Sequence, residues 1–194
     1  VGDELKIARD NEVESKMASR VVALALKDRA AVMLGGHRSD LTFWMDRGQW
    51  QTSKYYVEGA VLPSWLKDLN KRVINEFGAK DLNALSKDEF EELVEGNLGV
   101  RLTADAALQT IRSMKLGMGP VTDIFSVSFS SHDILGHKVG LQDPKMEALT
   151  LYENEKIGDL ISAIGKEVGF ENVVFALTGD HGVADLVGAG LTRP

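Results

Sequence analysis

Apolar and polar positions along this 194-residue chain fall into blocks whose period switches between that of strands and that of helices. Arg20 to Leu26 (RVVALAL) is a continuous apolar run bounded by charge, the pattern of a buried strand. Leu41 to Tyr56 is rich in aromatic residues, but Asp46-Arg47-Gly48 interrupts it, which predicts a hairpin or surface excursion rather than a core strand. Pro63 suits the first turn of a helix that carries Trp65, Leu66, Leu69, Val73 and Phe77 and closes at Gly78. Ser86-Lys87-Asp88-Glu89 reads as a capping box that opens a short second helix. Thr103 is expected to cap a third helix, with Ala107, Leu108, Ile111 and Met114 on one side and an end near Gly117. Ile124 to Phe129 reads as a strand. Asp143-Pro144 then opens a long helix whose apolar positions Leu149, Tyr152, Ile157, Leu160, Ile161, Ile164 and Val168 keep helical spacing up to Gly169. Val173 to Leu177 reads as the next strand. Residues 123–178 therefore predict a strand–helix–strand unit with a parallel, right-handed crossover, and the fold class is α/β, with a mostly parallel sheet flanked by helices.

Composition narrows the chemistry. With 44% hydrophobic and 26% charged residues, the chain suits one globular unit with a sizeable core. A formal charge of −7 and the absence of a basic run argue against a nucleic-acid partner. There is no cysteine, which excludes disulfides, thiolate metal sites and a thiolate nucleophile. No apolar stretch has the length of a membrane helix, and the N-terminus carries no signal-peptide pattern, so no membrane partner is expected.

Two segments carry the candidate chemistry. Ser128 to His137 (SFSSHDILGH) contains Asp133 and His137, and Leu177 to Gly182 (LTGDHG) contains Asp180 and His181; each follows an apolar, strand-like run. In open α/β sheets, groups just beyond the carboxyl ends of strands converge on a binding crevice. Carboxylate oxygens and imidazole nitrogens are zinc ligands, and Gly179 and Gly182 loosen the backbone so that two adjacent side chains can turn to one side. Alone, Asp133-x-x-x-His137 reads as a capping Asp and a surface His, and Asp180 as the bonding residue of a tight turn. The two segments in order, separated by one long helix, favour a metal site formed by loops. Lys27 and Arg29, at the end of the first strand, offer a point charge and a planar fork for phosphate oxygens, against a plain solvated strand end. His37 reads as structural or near the site, and His132 as exposed or behind the ligands. Trp44, Trp50 and Trp65 are assigned to packing, Thr103 and Asp105 to a helix start, and Asp88 to Glu95 to a solvated helix face.

Taken together, Val1-Gly2-Asp3-Glu4-Leu5, Leu26 to Ala30, Gly36-His37, Ser128 to His137 and Thr178 to Gly182 resemble the alkaline phosphatase superfamily. The resemblance is to bacterial phosphate-irrepressible alkaline phosphatases and to the type I phosphodiesterase and nucleotide pyrophosphatase enzymes. It implies an alkaline-phosphatase-like fold and a two-zinc site, with Asp133 and His137 on one zinc, Asp180 and His181 on the other, and Lys27 and Arg29 on the transferred phosphoryl group. The implied activity is zinc-dependent hydrolysis of a small phosphoester, with monoesters favoured and phosphodiesters or nucleotide pyrophosphates as the alternative. A non-catalytic metal- or phosphate-binding domain is the reading from another class. The family's nucleophilic Thr or Ser, an upstream Asp and a downstream His have no counterpart here, and no Ser or Thr is expected in the strand-then-helix setting that such a nucleophile uses. Residues 1–194 are accordingly expected to be the central part of an alkaline-phosphatase-like catalytic domain, an incomplete fold whose partners are the missing N- and C-terminal segments of a parent chain. The isolated chain is expected to be inactive, and the parent enzyme periplasmic or secreted.

Overall fold

The computed structural model describes residues 1–10, 18–77 and 85–182. Its first strand, β1 (Val21–Ala25), is the apolar run seen in the sequence, and every one of its residues is buried. Complete burial follows from its position inside the sheet, with β2 (Leu41–Asp46) on one side and β4 (Ile124–Ser128) on the other, both parallel to it. β3 (Gln49–Thr52) pairs antiparallel with β2 across the Arg47-Gly48 turn, which gives the strand order β3-β2-β1-β4. Arg47 and Gly48 both have positive φ, as a two-residue hairpin turn requires. The hairpin is therefore as predicted, but β2 is also a core strand: its Leu41, Phe43 and Met45 are buried. The Asp46-Arg47-Gly48 interruption only turns the chain.

Helices cover both faces. One side chain in two along β1 and β2 (Val22, Leu24, Leu41, Phe43) meets α3 (Ser64–Phe77), α5 (Asn97–Met114) and α7 (Pro144–Val168) through Leu66, Leu102, Ile111, Leu160 and Ile164. The alternate residue Thr42 meets α2 (Asp28–Gly35), where a Cβ on Gly35 would overlap the Thr42 hydroxyl. α1 (Gly2–Asp10), α4 (Lys87–Val94) and α6 (Ser131–Val139) complete the helices among the described residues. None of them is long and apolar enough to cross a membrane.

The amino ends of the strands are held by charge. Asp40 accepts from the Val21 amide at 2.7 Å and from Lys6. Asp123 accepts from the Arg20 amide and guanidinium, and Arg20 also donates to the last carbonyls of α5. Asp3 accepts from the amides of His37 and Arg38, and the His37 ring bonds the Tyr55 hydroxyl at 3.1 Å. His37 thus belongs to the structural end of the sheet, not to the carboxyl end.

The helix expectations meet the structure differently. The Ser86 capping box forms with both of its bonds, and Gly169 (φ 92°) ends α7. Gly78, expected to close α3, lies outside the described residues. Thr103 and Asp105 do not start a helix: α5 begins at Asn97, and Thr103 is a fully buried interior residue whose hydroxyl bonds the Gly99 carbonyl one turn back. Val173 to Leu177 forms no strand; after a 3-10 turn at Phe170–Asn172 the chain is irregular, with Val174 94% and Leu177 83% exposed. β-type residues form a strand only where a neighbouring edge accepts their hydrogen bonds, and among the described residues none pairs with this segment. Among the described residues, the crossover after β4 therefore leads into an irregular segment instead of a fifth strand.

Candidate functional site

Strand order decides where chemistry can sit. From β1 the chain passes through α2 to β2 on one side, whereas β4 lies on the other, so the carboxyl ends of β1 and β4 flank the point at which the direction of winding reverses. Helices leaving in opposite directions open a crevice at such a point. β1 and β4 end in register, Ala25 opposite Ser128. Lys27 stands two residues past the first and Asp133 five past the second.

Asp133 is the hub. Its Oδ2 accepts from Lys27 Nζ at 2.5 Å, and its Oδ1 lies 3.2 Å from His137 Nε2 and 3.6 Å from His181 Nε2. Asp180 joins through His181, its Oδ2 3.6 Å from the same Nε2. Five of the six candidates therefore form one cluster. Arg29, the sixth, is exposed in the first turn of α2, and no hydrogen bond or ion pair links its guanidinium to the other five.

The local backbone differs from the expected loop. Asp133 and His137 lie on α6, where a spacing of four places them on the same face. The Asp-x-x-x-His pattern carried that signal. The helix also explains His132, which points elsewhere because it is one step around the helix, and bonds Thr150 of α7 at 2.9 Å. Ser130 and Ser131, just past the strand read from Ile124 to Phe129, are the N-cap and first residue of α6 and so do stand between a strand and a helix, a setting in which no Ser or Thr was expected. Both are buried, at 5% and 0% exposure, and the Ser131 hydroxyl is engaged with Val94, so neither offers an accessible nucleophile. Around His181 the backbone makes the tight turn expected of Thr-Gly-Asp-His-Gly: its amide donates to Asp180 Oδ1 at 3.1 Å and its Nδ1 faces the Gly182 carbonyl at 2.9 Å.

Charge is balanced around the hub. Burial alone would raise the Asp133 pKa, but the Lys27 hydrogen bond and charge, with His137 and His181 beside it, hold the carboxyl below the usual carboxylate range. His181 is shifted the other way: the bond to the Gly182 carbonyl, then the charges of Asp180 and Asp133, raise its pKa. Among the described residues no three carboxylate or imidazole groups enclose a metal position as they stand, and Lys27 occupies one oxygen of Asp133. The donor set nevertheless fits zinc. Two ligand atoms each about 2.1 Å from a tetrahedral zinc stand about 3.4 Å apart, and the Asp133–His137 and Asp180–His181 separations of 3.2 and 3.6 Å bracket that spacing.

Fold and site together define a doubly wound α/β protein with a charged cluster at its switch point. The chain belongs to the type I phosphodiesterase / nucleotide pyrophosphatase family, whose model matches residues 8–191. It is 29% identical to a calcium-transporting ATPase of Myroides odoratus, over 95% of this chain and 40% of that protein. It is 28% identical to alkaline phosphatase PafA of Elizabethkingia meningoseptica and 27% identical to alkaline phosphatase PhoV of Synechococcus elongatus, each over 97% of this chain and 40% of the relative. The fold matches the crystal structure of wild-type alkaline phosphatase PafA with a TM-score of 0.70 at 24% identity, covering 87% of this chain and 38% of that one. The matching family and the two alkaline phosphatases agree with the superfamily resemblance carried by the motifs. The chain spans about 40% of their length.

Proposed function

We propose that the protein acts as a zinc-dependent phosphoric ester hydrolase with a preference for monoesters. The observation that carries this reading is the convergence of Lys27, Asp133, His137, Asp180 and His181 beyond the carboxyl ends of β1 and β4. Asp133, His137, Asp180 and His181 would hold two zinc ions, which when bound supply Lewis acidity toward the attacking and leaving oxygens. Lys27 stands at the N-cap of α2, where its ammonium and the positive end of the helix favour an anion. Arg29, exposed one turn-step further on, is free to swing its fork onto two phosphoryl oxygens. The two cations neutralise charge that a monoester dianion carries and a diester lacks. The alkaline phosphatases among the relatives support the monoester reading, while the family model's phosphodiesterase and pyrophosphatase description favours diesters as the second reading. By the same kinship, a periplasmic or secreted enzyme is proposed.

The test is hydrolysis of an aryl phosphate and of the corresponding diester by the zinc-loaded full-length protein. Lys27→Ala and Arg29→Ala should each lower monoester kcat/KM by about 100-fold and diester kcat/KM by about 10-fold or less, because only the monoester presents the second charge. Equal losses on both substrates would favour the diesterase. A protein that binds zinc and phosphate but turns over neither ester would be the non-catalytic binding module.

A further inference from the structure

The crevice is braced by a junction that is not part of it. α4 ends at Val94, whose carbonyl is one of the unpaired oxygens of a helix C-terminus. Ser131, the first residue of α6 and fully buried, donates its hydroxyl to that carbonyl at 2.6 Å. Gly99, in the first turn of α5, leaves the space this requires: a Cβ there would overlap both Val94 O and Ser131 Oγ. At the far end of α6, Lys138 pairs with Glu95, the residue after Val94, and this hydrogen bond holds the ammonium above its usual pKa. Thus α6 is tied at both ends to the α4–α5 junction, and Asp133 and His137 lie between the ties. Neither tie touches Lys27, His181 or the donor atoms of the cluster.

We propose that Ser131 is a positioning residue, which through its bond to the Val94 carbonyl sets the rotation and height of α6 and so the placement of Asp133 and His137 for metal binding, with Lys138–Glu95 as the second tie. The inference rests on the zinc reading above. A helix carrying two ligands transmits any roll or shift directly to both, and groups that orient ligands typically change metal affinity by about 10- to 100-fold when removed.

Zinc affinity, measured by competition with a chromogenic chelator well below the unfolding temperature of every variant, tests it in the full-length protein. Ser131→Ala should weaken zinc binding about 10-fold while the protein remains folded, and Lys138→Met, at an exposed position, by a smaller factor. Thr110→Val removes another buried hydroxyl bond, to the Ala106 carbonyl within α5, and should lower thermal stability with zinc affinity unchanged. A merely structural Ser131 would behave like Thr110. Unchanged zinc affinity in Ser131→Ala, or in Lys138→Met should the first variant not fold, overturns the inference while leaving the metal site in place if Asp133→Ala still abolishes binding. If Asp133→Ala binds zinc as tightly as the parent protein, the zinc reading itself fails and the positioning role falls with it.

Discussion

One carboxylate in this protein sits where carboxylates rarely do. Glu153 lies on the face of α7 that also carries Met146, Leu149, Leu160 and Ile164, and its Oε2 is buried without a hydrogen-bond partner among the described residues. Burial raises its pKa from 4.5 to about 7. Because the folded-state pKa is the higher one, the unfolded chain loses its proton first, so stability falls as pH rises from about 4.5 to about 7 and stays low above. Glu153→Gln should therefore be more stable than the parent at pH 8, by about 2 kcal/mol once partial solvent contact is discounted, with the gain vanishing near pH 4. Urea unfolding at the two pH values measures it, and an equal difference at both would show that ionisation is not the cause. Asp133, by contrast, is read from type and spacing alone: a carboxylate four residues before a His needs no burial pattern to be noticed.

Elements were legible where their ends are local. Ser86 with Glu89, and Asp143-Pro144 with Gly169, bound α4 and α7 through contacts a few residues apart, and the sequence placed them correctly. Thr103 failed because a Thr capping a helix and a Thr bonding back into one are the same residue, and burial against neighbouring elements decides between them. The edge of β3 shows another tertiary device. Asn70 of α3 accepts from the Trp50 amide at 2.7 Å and donates to its carbonyl at 2.9 Å, so a side chain completes the ladder where no strand follows. Both residues are buried. Asn70→Ala should cost about 3 kcal/mol, since it strands two buried backbone groups, whereas Ser86→Ala, at an exposed cap, should cost about 1 kcal/mol. Denaturant midpoints would rank them, and equal costs would mean that water replaces Asn70 at the sheet edge.

For the whole molecule, the question is whether the cluster suffices for catalysis. Four candidate ligands fall short of the roughly six that two zinc ions with three protein ligands each would use. The two serines between β4 and α6 are buried, and residues that act as one unit lose nearly all their effect when several are missing. The 194-residue chain with added zinc should show no sustained hydrolysis of an aryl phosphate. Turnover that Asp180→Ala abolishes would reveal a complete site within this chain.

By itself, the sequence determined the α/β class, the buried β1, the capped start of α4 and both ends of α7, because these follow from apolar period and turn chemistry over short spans, and residue type and spacing singled out six candidate site residues, five of which the structure brings together. Tertiary structure decided the rest. It made β2 a core strand, since burial depends on which strands lie alongside. It left Val173 to Leu177 out of the sheet, with Val174 to Leu177 exposed, since a strand exists only where an edge accepts it. Above all, Lys27 and Asp133, 106 residues apart, come within 2.5 Å only because β1 and β4 are neighbours, and strand order is a property of the packed sheet that no local pattern in the chain encodes.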